Sequence, residues 1–283
     1  MASGASVDLL TAAPWLFSVG DIATHKATAN ALAERGIASV SVDLPRPDRM
    51  TVIGGGHVLG HQPHLRHFVL NGRHVLNAVG VHATGDYSYL REYKYVSVRD
   101  ELSAKTIGVP CERVPCPAIL LEPSQLIRDG FPPRHGGAVV VHRDPLCERA
   151  VAKRAVDFLV VDPQPARKFG WHSGGTDLPI THCPERMIAA LRGAHCVITR
   201  SLHIGIFAMV AGVPFACIDT GDEPQSNKCR GYFRRAEIVD VMTNSDDPIR
   251  HAVGLPYDWL AVRDRERARC ERHFDEMAAA IRA

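Results

Sequence analysis

The stretch CVITRSLHIGIFAMVAGVPFACI, residues 196–218, decides the fold class. Its first four residues, Cys196 to Thr199, form a short β-branched run of the buried-strand kind. Ser201 stands where a helix N-cap belongs, and Leu202 to Ala211 follows as an apolar helix without proline. Gly212 and Pro214 stop that helix, and Phe215 to Ile218 is again a strand. Strand, helix and strand in this order are the crossover unit of a parallel sheet.

The same alternation continues in both directions. Upstream, Ser39 to Asp43, Met50 to Ile53, His74 to Val79 and Tyr95 to Val98 read as strands. Ile22 to Arg35 reads as a helix stopped by Gly36, and Glu101 to Ile107 as a short helix capped by Asp100 and ended by Gly108. Nearer the opening stretch, Ala138 to His142 and Phe158 to Val161 are strands and Pro184 to Leu191 a helix. The chain closes on a charged amphipathic helix, Asp258 to Ile281. Its stripe of Trp259, Val262, Phe274, Met277 and Ile281 suits core packing or, alternatively, a partner. Between the halves, Pro123 to Gly137 carries Pro132-Pro133 and Gly136-Gly137 and reads as a linker. The expected architecture is α/β, with two Rossmann-like domains facing a cleft, residues 1–130 and 131–283. A total of 283 residues makes both trimmed. Ligands of such sheets bind outside the carboxyl ends of the strands.

Composition narrows the function. The 33 Lys+Arg against 31 Asp+Glu give a net charge of +2, which argues against a nucleic-acid binder or a polybasic membrane binder. With 46% hydrophobic and 23% charged residues the chain is globular rather than disordered. No apolar run reaches the roughly 20 residues of a membrane span. The short apolar stretch Leu9 to Val19 lacks the basic start of a secretory signal, so the expected location is cytoplasmic. Eight cysteines occur with no C-x-x-C pair, which excludes a zinc ribbon or thioredoxin motif and reads as reduced thiols. Four histidines cluster as His57, His61, His64 and His67. Pro63 breaks their helix and no carboxylate joins them, so solvated or hydrogen-bonded histidines are favoured over a metal site, and no metal is expected.

Several strand ends carry groups with chemistry. Gly54-Gly55-Gly56 closes a strand and either lets the backbone approach a ligand or simply makes a tight turn; it is neither a Walker loop nor G-x-G-x-x-G. Arg99 ends another strand at the expected cleft, where a guanidinium suits carboxylate or phosphate, while Asp100 reads as a cap and a surface role for both is the plain alternative. His203 falls in the first turn of the helix capped by Ser201, where unsatisfied N–H groups attract anions. It reads equally as a proton donor or as a core histidine. The run Ser226 to Arg235 holds Lys228, Arg230, Arg234 and Arg235, which is either a solvated basic face or, with Arg99 opposite, a clamp for a small anion.

In order and spacing these pieces resemble the polysaccharide pyruvyl transferase family over most of the chain. The matching residues are Gly20-Asp21-Ile22-Ala23, the three glycines Gly54 to Gly56, and Ser97-Val98-Arg99-Asp100 through Ser103. Ser201-Leu202-His203 through Gly212-Val213-Pro214 follows, and Lys228 with Tyr232-Phe233 completes the series. The resemblance implies a GT-B-like pair of domains, the first on the acceptor side and the second holding phosphoenolpyruvate. It implies transfer of a pyruvyl group to sugar hydroxyls of a polysaccharide or its precursor, as a ketal. His203 would be catalytic. Arg99, Arg200, Ser201, Lys228, Asp21, Gly54, Gly55 and Gly56 would bind substrate, with no cofactor beyond the donor. The partners implied are phosphoenolpyruvate and a saccharide acceptor, lipid-linked or free, which adds the inner membrane face as a peripheral location. Four positions depart from the pattern: Ser201 where arginine is common, Ser18 near a usual asparagine, Cys116 at a usual aspartate, and Gly231 at a frequent acidic position. A GT-B-like glycosyltransferase using a nucleotide sugar, and a non-catalytic glycan- or partner-binding descendant, are the competing readings.

Overall fold

The computed structural model describes residues 5–10, 18–43, 46, 48–54, 73–81, 84–123, 139–153, 158–161, 176–177 and 183–283. These residues form two compact units. The first gathers Met1–Leu16, Ala23–Leu120 and Arg267–Ala283, and the second Phe17–Ile22 and Leu121–Glu266.

The first unit is built on a parallel sheet of β1 (Ser6–Leu10), β2 (Ala38–Ser41), β3 (Thr51–Gly54), β4 (Val75–Val79), β5 (Tyr95–Val98) and β6 (Glu112–Arg113), in the order β2-β1-β3-β4-β5-β6. Helix α1 (Val19–Glu34) joins β1 to β2, and α2 (Glu101–Ile107) follows β5. Both β3 and β4 are buried along their whole length, as a central parallel strand requires. Asp100 caps α2 by accepting from the Ser103 N–H at 2.8 Å, and Gly108 ends it in the left-handed conformation, φ 61°.

Between β4 and β5 the register slips, and Ala78 takes φ 48°, a left-handed value uncommon outside glycine. The slip is held by Ser97, whose hydroxyl accepts from the Ala78 N–H and donates to the Leu76 carbonyl. Beside it Asn77 donates to the Thr28 hydroxyl (3.3 Å) and accepts from His273 Nε2 (2.7 Å), and Tyr95 donates to His273 Nδ1 (3.0 Å). The chain satisfies every member of a buried polar set, as a core demands. Burial, with Arg35 adding, pushes the His273 imidazole down to about 3, so it is neutral here.

The second unit repeats the plan with β7 (Val139–His142), β8 (Phe158–Val161), β9 (Thr176–Asp177), β10 (Cys196–Thr199), β11 (Phe215–Ile218) and β12 (Met242–Thr243), ordered β12-β11-β10-β7-β8-β9 and all parallel. Its helices are α3 (Pro145–Ala152), α4 (Pro184–Leu191), α5 (Leu202–Ala211), α6 (Pro224–Arg235) and α7 (Pro248–Gly254). Helix α5 is buried on every side except at Ala211, which fits its apolar sequence.

The closing helix α8 (Trp259–Arg282) uses its apolar stripe for packing. Trp259 stacks at 5.0 Å on Phe215 in the second unit, while Phe274 and Met277 are wholly buried among the residues of the first. Sequence reading missed β1, the two-residue strands β6, β9 and β12, and the helices α3, α6 and α7. The Leu9 to Val19 stretch hides the end of β1 and the start of α1. The polar run 224–235 hides α6, whose buried face is only Ser226, Cys229, Tyr232 and Phe233.

Candidate functional site

In the second sheet the chain runs outward from β7 to β8 and β9, then returns to the other side of β7 for β10, β11 and β12. The carboxyl ends of β7 and β10 therefore flank the point where the winding reverses, the usual binding position in such sheets. The β10 end is Thr199-Arg200-Ser201, and the β7 end is His142-Arg143-Asp144.

Ser201 caps α5, accepting from the Ile204 N–H at 3.5 Å. Its own N–H is held by the Thr199 hydroxyl at 2.9 Å. His203 follows at the second helical position and is 6% exposed. Its neighbour is the first turn of α1. A Cβ added to Gly20 would stand 2.0 Å from His203 Nδ1 and 2.6 Å from His203 Cβ, so only glycine fits there. Two motifs over 180 residues apart in sequence thus touch within one unit, and each lies at a helix N-terminus. Ser18 caps α1 through the Gly20 N–H at 3.3 Å. The departure from asparagine at this point keeps the capping chemistry. Asp21, also in that first turn, is 7% exposed.

Arg200, a candidate substrate-binding residue by sequence, is held by its neighbours. Rather than lying open to an anion, its Nη1 donates to Asp144 (3.1 Å) and its Nη2 to Glu223 (2.5 Å) and Thr220 (3.3 Å). Its backbone N–H donates to His142 Nδ1 at 3.4 Å, and its carbonyl accepts from Gln225 Nε2 at 2.6 Å. Arg200 is a brace across the ends of β7, β10 and β11. Arg230 is committed too, with both Asp219 oxygens at 2.7 Å. Burial alone would raise the Asp219 carboxyl, but Arg230 and the Gly221 N–H bring it below its usual range.

The run read as a basic face is the helix α6, with Lys228 half-buried on it. Its aromatics are packing residues. Phe233 lies 5.3 Å from the Phe215 ring and fits over Gly205, where a Cβ would stand 2.8 Å from it. Arg235 covers the Tyr232 ring at 4.8 Å and pairs with the buried Glu266.

Arg99 and Gly54 belong to the first unit. Arg99, expected to emerge at a strand end, is instead wholly buried, its Nε 4.0 Å from Asp100. Gly54 ends β3, at the winding reversal of the first sheet. A Cβ there would stand 2.5 Å from the Asn77 carbonyl oxygen, so strand packing alone demands this glycine. Cys116, at the usual aspartate, is buried with its thiol 3.7 Å from the Thr24 hydroxyl. Gly55, Gly56, nearly all of the linker and the cluster His57, His61, His64 and His67 lie outside the described residues. Among the described residues no helix is long and apolar enough to cross a membrane.

Sequence reading missed His142 and Asp144. Both sit where a short strand gives way to a capped helix, and only the strand order reveals that this end faces β10.

Comparison with curated proteins returns no match. Among solved structures, the UDP-GlcNAc 2-epimerase of Methanocaldococcus jannaschii is similar with a TM-score of 0.55 and 11% identity, over 93% of this chain and 97% of that one. An uncharacterized protein of Klebsiella pneumoniae gives a TM-score of 0.55 and 11% identity, over 85% and 94%. At that identity the likeness is one of fold, a GT-B-like α/β fold with Rossmann-like parallel sheets. A sequence model described as polysaccharide pyruvyl transferase matches residues 19–222, a span that holds both the Gly20-Asp21 turn and Ser201-Leu202-His203. By that match, over more than half its length, the chain belongs to the polysaccharide pyruvyl transferase family.

Proposed function

We propose that this protein transfers a pyruvyl group from phosphoenolpyruvate to hydroxyls of a saccharide, closing a cyclic ketal, with His203 as its acid/base and phosphate ligand. The observation that carries the reading is the contact of Gly20 with His203, which joins two separated pieces of the family pattern at a pair of helix N-termini.

The chemistry demands this kind of place. Phosphoenolpyruvate carries a carboxylate and a phosphate, and helix N-termini present N–H groups and positive dipole ends to anions. A proton delivered to the methylene carbon leaves an oxocarbenium-like centre at the adjacent carbon. A sugar hydroxyl attacks that carbon and gives up its proton, the carbon–oxygen bond to phosphate breaks, and a second hydroxyl attacks the same carbon and closes the ketal, its proton passing to the leaving phosphate. His203 can deliver one proton and receive another in such a sequence. Ser18 and Ser201 cap the two helix starts, Asp21 stands in the first turn of α1 as a further substrate-binding group, and Lys228 supplies a cation from α6. For Arg99 the family pattern proposes anion binding; its full burial restricts that role to an anion held away from water. Arg200 supports the site as a brace rather than as a ligand.

The acceptor is proposed to be a polysaccharide or its precursor, and no metal or organic cofactor enters the scheme. Thermal shift tests the reading. Phosphoenolpyruvate should raise the melting temperature of the wild type, and UDP-GlcNAc should not. Stabilisation by UDP-GlcNAc alone would replace pyruvyl transfer with a nucleotide-sugar activity.

A further inference from the structure

At the winding reversal of the second sheet, one group remains that the scheme above does not use. His142 is the last residue of β7, paired in register with Val161 on one side and one step beyond the Val141–Ile198 pair on the other. The residue as a whole is half-buried at the strand end. Nδ1 accepts the Arg200 N–H at 3.4 Å, so the neutral ring carries its proton on Nε2. Nε2 has no hydrogen-bond partner among the described residues.

Two charged groups near the ring, Asp144 and Arg200, are paired with each other. Asp144 gives Oδ1 to the Leu146 and Cys147 N–H groups at the start of α3 and Oδ2 to Arg200. Both Nη atoms of Arg200 are taken by Asp144, Glu223 and Thr220. An anion arriving at this rim therefore meets the paired Asp144 and Arg200, with Arg143 next in the chain, and the His142 N–H donor. Burial, with Arg200 adding and Asp144 opposing, holds the imidazole down to about 4. It is thus a hydrogen-bond donor at neutral pH and too weak a base to exchange protons there, which separates its part from that of His203.

We propose that His142 is a further substrate-binding residue, its Nε2–H donating to an oxyanion of the donor bound at the ends of β7 and β10. The inference rests on the pyruvyl-transfer reading only for the identity of that donor.

Two substitutions separate binding from support. His142→Asn keeps an acceptor for the Arg200 N–H and removes the Nε2–H donor; His142→Gln keeps a donor at the Nε2 position and loses the acceptor. Titration calorimetry with phosphoenolpyruvate, inorganic phosphate and pyruvate reads each variant. His142→Asn should weaken phosphoenolpyruvate binding about tenfold or more with an unchanged melting temperature, while His142→Gln stays within about threefold of wild type. Whichever of phosphate and pyruvate loses affinity with it identifies the group held. Unchanged affinity in His142→Asn, with loss of affinity and melting temperature in His142→Gln, marks a purely structural histidine and overturns the proposal. If His142→Asn weakens anion binding but the wild type transfers no pyruvyl group, this inference stands and the functional reading falls. If the wild type transfers pyruvyl groups and His142→Asn binds normally, the reverse holds. A wild type that binds none of the three overturns both.

Discussion

Replacing Gly20 by alanine adds one methyl group at the tightest approach in the candidate site. The new Cβ would sit 2.0 Å from His203 Nδ1, 2.2 Å from Cγ and 2.6 Å from Cβ, against an ordinary contact of 3.4–4 Å. Rotating the imidazole away clears the first two atoms only. The His203 Cβ moves with its backbone, so the start of α5 or of α1 must shift by about 0.8 Å to restore contact distance. Overpacking of this size costs about 1–3 kcal/mol, or several degrees of melting temperature in a chain of this length. A catalytic group displaced by about 1 Å loses about 100-fold in rate. Gly20→Ala should therefore lower kcat/KM for phosphoenolpyruvate about 100-fold and melt several degrees early. Gly254→Ala is the control, because nothing lies within 4 Å of its Cβ position. His203→Ala in the Gly20→Ala background should recover part of the lost stability, since it removes the ring atoms and leaves only the Cβ contact. A Gly20→Ala protein with wild-type melting and wild-type turnover would refute the close approach and the site built on it.

Other outcomes follow from the same geometry. His203→Ala should abolish transfer and leave the circular dichroism spectrum and melting profile of a folded protein; retained turnover removes His203 from the mechanism. Arg200→Gln breaks a brace whose partners are 19% and 41% exposed, so it should cost about 1–3 kcal/mol, mostly through Asp144, yet leave phosphoenolpyruvate affinity within about threefold. A large loss of affinity at unchanged stability would make Arg200 a ligand after all. His273, neutral and depressed to about 3 when folded, contributes stability that is full above the unfolded value of 6.5. That stability is lost as pH falls, at about 1.4 kcal/mol per pH unit between the two values. NMR should find its ring neutral down to pH 4, and a midpoint near 6 would contradict the buried Asn77–His273–Tyr95 set. Thiol labelling of the native protein should mark no more than Cys111 and Cys183 quickly, because the other six thiols are buried; burial raises Cys147 and Cys196, and a hydrogen bond with Cys229, with burial, raises Cys217.

Much of the fold was legible because its signals are local. The strand–cap–helix–glycine pattern of residues 196–218 needs no distant partner, and Asp100, Gly108, Ser201 and Gly212 sit in the cap geometries their types favour. The elements that escaped have weak local signals. Helix α6 presents a polar sequence whose buried positions are few, and α3 begins from an Asp-Pro step that resembles a loop. The site was half legible for a related reason. His203 announces itself by its place in a helical turn, and Gly20 by its Gly-Asp pattern. Whether an arginine is open or spent is a question of three-dimensional neighbours. Arg200 and Arg230 look like free cations in sequence until Asp144, Glu223 and Asp219 are found beside them. His142 was invisible because it matters only through strand order, which places β10 next to β7 although β8 and β9 intervene in the chain.

Phosphorus NMR of phosphoenolpyruvate incubated with a panel of saccharides, with mass spectrometry of the saccharides, tests the central claim most directly. The wild type should release inorganic phosphate only in the presence of an acceptor, that acceptor should gain a pyruvyl ketal, and His203→Ala should do neither. Phosphate release equal in His203→Ala, or no release with any saccharide, would contradict the account.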